Sequence, residues 1–414
     1  MEEIVVPYGK EGRLFADVPE RNFIGTLAPK DVVTGDVRST IERSLAEPIG
    51  SCHIDEFLAG GEDVVFIVND GTRPTPTAAV LQVLSHRTDL SKYRYLIATG
   101  AHRPPDEEEL RLIFGEMLEV VRDKIHPHDA RNDHCIYLGR SKNGTEMEVN
   151  EIAVNADRLV IITSVEPHYF AGYTGGRKSF LPGVASFKCI EQNHRLAMRK
   201  EASVLRLDGN PVHEDMIDAL SVVKDKKIFS VQVVMDRHQG VYKVASGDLF
   251  RAFDKAVAWA NEVFSVEVKE KADMVITVAP YPMDVDLYQS QKAIDNAKHA
   301  LKEGGVVLLV SKCRQGMGDD TFCRQLSSSK DPSEILRNLE CEYRLGFHKA
   351  AKLAEIMLTS RIWAVTDLED EKLRSINITP FHDLQMAVDS FLHERPEGKI
   401  LVLMDGSVTV PRVV

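Results

Sequence analysis

The chain has 414 residues, 43% of them hydrophobic, and a mean hydropathy of -0.18. This length and composition are typical of a globular protein with two domains. Its net charge of -12 argues against a nucleic-acid-binding protein, which needs a basic face. No apolar run reaches the length of a membrane-spanning helix, and the acidic start MEEIVVPYGK is unlike a signal peptide. We therefore expect a cytoplasmic protein.

The first half of the chain predicts buried strands that run into polar loops. After an opening hairpin (4–6 and 13–16), a strand at 63–70 leads into GTRPTPT, where Arg73 offers a planar fork for a carboxylate or phosphate. A strand at 93–99 leads into GAHRPP, which contains His102. Because ligands of open α/β folds bind at the carboxyl ends of the strands, these side chains are candidates for one site. A plain capping role for the loop after 63–70 is the simpler alternative.

The stretch 164–194, SVEPHYFAGYTGGRKSFLPGVASFKCIEQNH, follows a third predicted strand at 158–164. Its glycines would let the backbone approach a ligand closely, while Arg177 and Lys178 would supply positive charge. His168, Lys178 and His194 are too far apart in sequence for one helix face to gather them. If they meet, the fold gathers them around a ligand; otherwise the stretch is an ordinary basic surface loop.

The rest of the chain repeats the alternation of strands and helices. We predict a helix at 248–264 as the hinge, an N-terminal domain over 1–265 and a smaller C-terminal α/β domain over 266–414. Further predicted elements are helices at 196–205 and 292–302, the latter stopped by Gly304-Gly305, and strands at 227–235, 274–279, 306–311, 363–366 and 399–404.

Several common motifs are absent from the sequence. There is no GxGxxG after a strand, no P-loop, no GxSxG and no HExxH, which weakens the case for a nicotinamide dehydrogenase, an ATPase, a serine hydrolase or a zinc protease. The histidines His126, His128 and His134 are interpreted as a loop cluster rather than a metal site.

The motifs NDGTRPTP, ATGAHRP, EPHYFAGYTGGRKSFLPG, NH at 193–194 and YQSQK together resemble the lactate racemase family, in the same order over most of the chain. The resemblance implies an α/β fold of two domains, each with a largely parallel, Rossmann-like sheet flanked by helices, and an active site in the interdomain cleft. It also implies a nickel-pincer nucleotide, made by separate cofactor-maturation enzymes, and a small-molecule 2-hydroxy acid substrate.

The resemblance assigns roles to individual residues. Lys178 matches the lysine that holds the cofactor covalently, His194 the nickel ligand, and His102 and His168 the paired catalytic bases. The residues matching substrate-binding positions are Arg73, Gln289 and Lys292. The residues expected around the cofactor, besides Lys178, are Asp70, Thr72, Gly175, Gly176, Tyr288 and Trp363, with Asp70 also expected to orient Arg73.

These residue types suit the implied chemistry. A 2-hydroxy acid loses its C2 hydrogen with difficulty as a proton, because the neighbouring carboxylate stabilises a carbanion poorly. A base that takes the hydroxyl proton while C2–H leaves as hydride avoids that carbanion and gives a planar 2-keto acid. Two enantiomers then need two bases, and histidine suits that task near neutral pH.

Two other functions fit parts of the sequence. Lys178 could form a Schiff base in a pyridoxal-phosphate or aldolase-type enzyme. A non-catalytic, two-lobed anion-binding protein would use Arg73 and Lys292 but would have no use for the three histidines. Which 2-hydroxy acid is turned over is not fixed by these motifs.

Overall fold

The structure, a computed structural model, describes residues 1–73, 75–220 and 226–414. In chain order, its strands are β1 (Glu2–Tyr8), β2 (Gly12–Val18), β3 (Phe23–Leu27), β4 (Val64–Asn69), β5 (Arg94–Ala98), β6 (Ile125–Pro127), β7 (Cys135–Arg140), β8 (Glu146–Asn150), β9 (Arg158–Ser164), β10 (Pro167–His168), β11 (Gly172–Tyr173), β12 (Lys227–Met235), β13 (Val241–Gly247), β14 (Ser265–Val268), β15 (Ala272–Val278), β16 (Leu301–Val310), β17 (Arg361–Val365), β18 (Ile378–Phe381), β19 (Ile400–Leu403) and β20 (Val410–Val413).

The α-helices lie between these strands. They are α1 (Val37–Ala46), α2 (Ile54–Ala59), α3 (Thr77–Ser85), α4 (Glu107–Phe114), α5 (Leu118–Val121), α6 (Glu151–Asn155), α7 (Phe187–Arg195), α8 (Pro211–Leu220), α9 (Leu249–Phe264), α10 (Leu287–Ala297), α11 (Asp320–Leu326), α12 (Pro332–Cys341), α13 (Phe347–Met357), α14 (Asp370–Ser375) and α15 (Leu384–Glu394). In the described ranges, no helix has the length and apolar character needed to cross a membrane.

The chain divides into two compact units. The central unit is Asp31–Val263, and the terminal unit combines Met1–Lys30 with Phe264–Val414. The expected α/β class, with a largely parallel sheet in each unit, is confirmed.

The central unit is built on the sheet β13-β12-β9-β4-β5-β6, in which only the β12–β13 pair is antiparallel. The apolar, β-branched run of β9 is buried from Leu159 to Ser164, as helix-covered parallel strands require. Strands β9, β4 and β5 are neighbours, so the loops that follow them leave the sheet side by side. These loops carry the residues of interest.

The terminal unit is built on the all-parallel sheet β18-β17-β16-β15-β19-β3. Its last strand, β3, comes from the start of the chain and pairs with β19. The hairpin of β1 and β2 adds Ile4 and Val18 to the core of this sheet. Residues 1–30 therefore belong with the C-terminal part of the chain, not with the 1–265 domain to which the sequence assigned them.

Two predicted helices lie elsewhere. The sequence predicted a helix at 196–205, but the helix in this region is α7, which ends before that range. The Ser186 hydroxyl caps the start of α7 by accepting the Cys189 N–H, and a short 3₁₀ turn follows at Leu196–Met198. The helix expected at 292–302 begins earlier, at Leu287, because Asp286 caps it. Gly304 and Gly305 do not stop this helix but lie inside β16.

Candidate functional site

Three neighbouring strand ends of the central unit are tied together by polar side chains. Asn69, at the end of β4, donates from Nδ2 to Thr75 Oγ1 at 2.7 Å. Thr75 in turn lies 3.0 Å from the Ser164 hydroxyl at the end of β9. The loop after β5 is held by a hydrogen bond from the Gly100 N–H to the Gly183 carbonyl at 2.9 Å. The loops are thus fixed relative to one another within this unit.

Asp70 and His102 form a hydrogen-bonded pair. Nδ1 of His102 lies 2.8 Å from Asp70 Oδ2, and the Thr72 hydroxyl donates to Asp70 Oδ1 at 2.7 Å. Burial raises the pKa of Asp70, but the hydrogen bonds from His102 and Thr72 and the charge of Arg73 outweigh it, so the net pKa lies below the ordinary value. Because the carboxylate is ionised, it accepts from Nδ1–H, so in the neutral tautomer that this contact favours, Nε2 of His102 is the nitrogen without a proton.

Arg73 forms an ion pair with Glu166. The guanidinium Nη1 lies 2.7 Å from Glu166 Oε1, and both side chains are mostly buried. The expected partner, Asp70, contacts Arg73 through the backbone, accepting its N–H at 3.2 Å. The residue that orients the Arg73 side chain is therefore Glu166.

His168 and Lys178 are in direct contact. Nε2 of His168 lies 3.1 Å from Lys178 Nζ, and Nδ1 of the same ring accepts the Ala171 N–H at 3.3 Å. The His168 ring packs edge-to-face on Phe170, with ring centroids 4.5 Å apart. The proposed base and the proposed attachment lysine thus lie side by side.

The sequence suggested that Arg177 supplies positive charge to a ligand, but the structure gives this residue a different role. It is 1% exposed and donates to four backbone carbonyls of its own loop, at distances of 2.7–3.3 Å. Gly175 (φ +81) and Gly176 (φ +51) also have a structural role. A Cβ at Gly175 would meet Val165 and one at Gly176 would meet Phe253, so these positions pack closely against the protein itself. Arg177 and the two glycines therefore shape the loop that presents Lys178.

His194 lies on α7 and packs against the same aromatic side chain as His168. Its ring centroid is 5.1 Å from that of Phe170. Burial, helped by the positive charge of Lys178, lowers the pKa of His194 to about 3. The preceding residue, Asn193, donates to the fully buried Asp215 carboxylate at 2.9 Å, which fixes the helix that carries His194.

These residues fit the implied cofactor. A metal ligand must be an unprotonated imidazole, and the low pKa keeps His194 in that form over the whole neutral range. Lys178 is only half-buried, so its amine can be reached, and His194 is near enough to feel its charge. Within the described residues, no group of three or more His, Cys, Asp or Glu side chains is arranged to hold a metal.

The histidines at 126, 128 and 134 form hydrogen bonds with carboxylates. Asp133 accepts from His126 at 2.8 Å and lies 3.3 Å from His128, while His134 pairs with Glu151. Asn150 also donates to the same Asp133 oxygen at 2.7 Å. The side chains tie loops together, in keeping with their interpretation as a loop cluster.

The terminal unit presents its predicted site residues on α10. Gln289 and Lys292 lie within its first two turns and are partly exposed. Tyr288 lies beside Lys349 of α13, whose Nζ is 3.3 Å from the ring centroid and donates to the Tyr288 carbonyl at 2.8 Å. Burial, followed by the charge of Lys292, lowers the pKa of Lys349 well below its ordinary value.

Trp363 lies in the core and not beside these residues. It is 3% exposed in the middle of β17, and its ring lies 4.8 Å from that of Phe381. Strand β17 has neighbours on both sides of the sheet, so its indole packs between sheet and helices. The sequence predicted Trp363 to lie around the cofactor, whereas in the structure it is a core residue.

Two residues that contact predicted site residues were not themselves predicted from the sequence. Glu166 lies two positions before His168 in the same motif. An acidic residue in this motif was the signal that could have suggested a partner for Arg73. Lys349 is 6% exposed, and its helix shows the unusual pattern of buried lysines, Lys349 and Lys352, in one apolar helix. Only the packing of α13 on α10 reveals that Lys349 meets Tyr288.

Known proteins similar to this chain cover its whole length. The model of the lactate racemase N-terminal domain matches residues 8–205, and that of the lactate racemase C-terminal domain matches residues 267–410. Lactate racemase of Thermoanaerobacterium thermosaccharolyticum is 33% identical over 100% of both chains. Lactate racemase of Lactiplantibacillus plantarum is 31% identical over 98% of this chain and 99% of its own.

Solved structures agree with the fold. The lactate racemase apoprotein from T. thermosaccharolyticum superposes with a TM-score of 0.92 at 32% identity, over 99% of this chain and 100% of the other. A protein from Thermotoga maritima superposes with a TM-score of 0.67 at 16% identity, over 92% of this chain and 100% of the other, and shares the fold.

Proposed function

This chain belongs to the lactate racemase family, and we propose that it is an isomerase that inverts the C2 stereocentre of a 2-hydroxy acid. Lactate is the first substrate to test, because two similar proteins are lactate racemases. The observation that carries the proposal is the arrangement of two histidines in the central unit. Nδ1 of His102 lies 2.8 Å from the Asp70 carboxylate, and Nε2 of His168 lies 3.1 Å from Lys178 Nζ.

The two histidines suit opposite halves of one reaction. The Asp70 carboxylate fixes the Nδ1–H of His102, so its Nε2 can accept a hydroxyl proton. The Ala171 N–H occupies Nδ1 of His168, so the neutral ring carries its proton on Nε2, and this contact must be released before His168 can act as an imidazolium acid or as a base at Nε2. Conversion of a 2-hydroxy acid through a 2-keto acid in both directions requires each histidine to be the base in one direction and, as imidazolium, the acid in the other.

We propose substrate-carboxylate roles for Arg73, Gln289 and Lys292, the residues that match substrate-binding positions of the family. Arg73 offers a fork that forms two parallel hydrogen bonds to a carboxylate, and Glu166 limits its rotation. A fixed carboxylate leaves the hydroxyl and the C2 hydrogen as the groups that can exchange position.

Lys178 and His194 would hold a nickel-pincer nucleotide, covalently and through the nickel respectively. When bound, this cofactor supplies a hydride acceptor, which the side chains of the protein cannot provide. Asp70, Thr72 and Tyr288 are proposed neighbours of the cofactor, as are the loop glycines Gly175 and Gly176. The chain itself would bind and orient the substrate and move the hydroxyl proton at the histidine nitrogens.

The proposal is tested with protein co-produced with the cofactor-maturation enzymes. Each enantiomer of lactate, malate and an aryl 2-hydroxy acid, deuterated at C2, is incubated with the protein and separated on a chiral column. We expect both enantiomers of at least one acid to interconvert, with C2 deuterium largely kept in the product. Washout of deuterium into water would contradict hydride transfer, and no interconversion of any acid by loaded protein would contradict the racemase function.

A further inference from the structure

We propose that His168 has a second role before any cofactor is attached: it holds Lys178 as an uncharged amine, ready to be acylated. Lys178 would then be a nucleophile in the apoprotein, and His168 would be the residue that positions its amine and keeps it uncharged. The inference rests on the proposed function only for the identity of the natural acyl group, an acid derivative of the cofactor.

The donors and acceptors around the His168 ring carry this inference. A backbone N–H cannot act as an acceptor, so Nδ1 must accept the Ala171 N–H at 3.3 Å with its lone pair. A neutral imidazole has one proton, which must then be on Nε2. The Nε2–H lies 3.1 Å from Lys178 Nζ and needs an acceptor there. An ammonium group has only donors, whereas a neutral amine has a lone pair.

The opposite arrangement would bring two donors together. If a Lys178 ammonium donated to Nε2, the ring proton would sit on Nδ1 and point at the Ala171 N–H. The same conflict arises with an imidazolium ring. Of these proton arrangements, the uncharged amine with the Nε2–H tautomer is the one that satisfies the contacts of the ring with Ala171 and Lys178 together.

The surroundings keep this pair in place. The backbone of His168 pairs with Gly172 in the β10–β11 ladder, and the ring is 8% exposed. Lys178 follows Arg177, whose four carbonyl contacts fix the turn. Movement of either side chain away from the other would break packing as well as the hydrogen bond.

Two groups near the Lys178 amine bear on its charge. Burial and the charge of Lys178 lower the pKa of His194 to about 3, so at neutral pH His194 is uncharged and does not repel an ammonium on Lys178. The ring of Phe170, with its centroid 5.4 Å from Nζ, favours a cation weakly. The case for the uncharged amine therefore rests on the contact of Lys178 with His168.

Acylation of Lys178 is a simple substitution. The Nζ lone pair forms a C–N bond to the acyl carbon, the bond from that carbon to its leaving group breaks, and the surplus proton of nitrogen passes to solvent. No oxidant or reductant is consumed. Only the uncharged amine can take part, so the protonation state of Lys178 sets the rate at neutral pH.

The test uses the apoprotein, without cofactor or substrate. Lysines are labelled with trace acetic anhydride between pH 6 and 11, and the label at each lysine is measured by peptide mass spectrometry. The exposed Lys200 is the internal reference. We expect the labelling rate of Lys178 to reach its half-maximum at least about one pH unit below that of Lys200.

Two variants separate His168 from its surroundings. In His168→Gln, the amide oxygen can accept from an ammonium, so we expect the Lys178 midpoint to move up toward that of Lys200. The matched variant His134→Gln, at an exposed histidine, should leave the midpoint unchanged. Because a midpoint in pH does not depend on how easily the reagent reaches the lysine, altered access in a variant does not imitate the effect.

Either of two results would overturn the inference. One is a wild-type Lys178 that titrates together with Lys200, and the other is an unchanged Lys178 midpoint in a folded His168→Gln protein, with folding checked by thermal unfolding. A protein that fails to racemise any 2-hydroxy acid would sink the proposed function but would leave the labelling result as it stands.

Discussion

His102 Nδ1 lies 2.8 Å from Asp70 Oδ2, and this contact decides which nitrogen of the ring can move a proton. His102 itself is exposed, with 58% of its side chain accessible, whereas the Asp70 side chain is 7% exposed. An exposed histidine is free to choose its tautomer and rotamer in water. The buried carboxylate removes that freedom and, in the neutral ring, leaves Nε2 as the acceptor.

We expect Asp70→Asn to lower kcat by about a hundredfold or more, because the amide no longer favours the Nδ1–H tautomer of His102. The KM should change much less, since His102 is not proposed to bind the carboxylate. Steady-state racemisation assays of loaded protein measure both constants. Asp55→Asn, which removes an exposed partner of Arg87, is the matched control. Equal kcat values for Asp70→Asn and the control would remove Asp70 from the reaction.

Arg73→Ala should raise the KM for a 2-hydroxy acid by about tenfold to a hundredfold, because a charge-assisted hydrogen bond contributes about 1.5–3 kcal/mol. Glu166→Gln should also raise the KM, but by less, since the arginine remains. If Glu166 acts through Arg73, adding Glu166→Gln to Arg73→Ala should change the KM little further. Additive effects in the double variant would show that Glu166 acts independently. Glu394→Gln, at an exposed pair with Arg361, is the control for loss of a surface ion pair.

The sequence predicted the sheets well where a strand is a continuous buried run. Strands β4, β5 and β9 are such runs, and the loop after each was found from its polar residues. The helix that carries His194 was misplaced, because its start depends on the Ser186 cap and its end on a 3₁₀ turn, and neither changes the apolar pattern. The place of residues 1–30 could not be predicted, because it depends on pairing between strands 377 residues apart, Phe23 with Ile400.

The candidate site shows the same division. The residue types with unusual chemistry, such as His102 and Lys178, could be selected from their motifs. Their partners could not, because hydrogen-bond partners such as Glu166 for Arg73 depend on side-chain directions that no spacing encodes. Trp363 was misassigned because an indole in a strand looks the same in sequence whether it faces a ligand or the core.

His194→Ala should lower the nickel content of protein produced with the maturation enzymes, while leaving the mass added at Lys178 in place. The reason is that the two residues are proposed to hold different parts of the cofactor. Elemental analysis gives the nickel per chain, and intact mass gives the covalent adduct. The exposed His238, changed to Ala, serves as the control histidine. Full nickel occupancy in His194→Ala would remove this residue from the coordination sphere.

Lys349→Met should stabilise the protein, and the gain should depend on pH. The pKa of Lys349 is lowered in the folded state by burial and by the charge of Lys292, whereas in the unfolded chain it returns to about 10.4. Between these two values the unfolded chain binds a proton that the folded chain does not. Wild-type stability therefore falls as the pH decreases through that window, by about 1.4 kcal/mol per pH unit at most.

Methionine has no such proton, so the stability advantage of Lys349→Met over wild type should grow as the pH is lowered from about 10.4 and become constant below the folded-state pKa. Urea unfolding of the apoprotein at a series of pH values measures this difference. Lys372→Met is the control, because Lys372 is exposed and forms a surface ion pair with Glu369. The difference in unfolding free energy between this variant and wild type should vary little with pH. If the advantage of Lys349→Met is the same at pH 7 and at pH 10, Lys349 is protonated in the folded protein and its ammonium is stabilised by Tyr288, whose ring centroid lies 3.3 Å away.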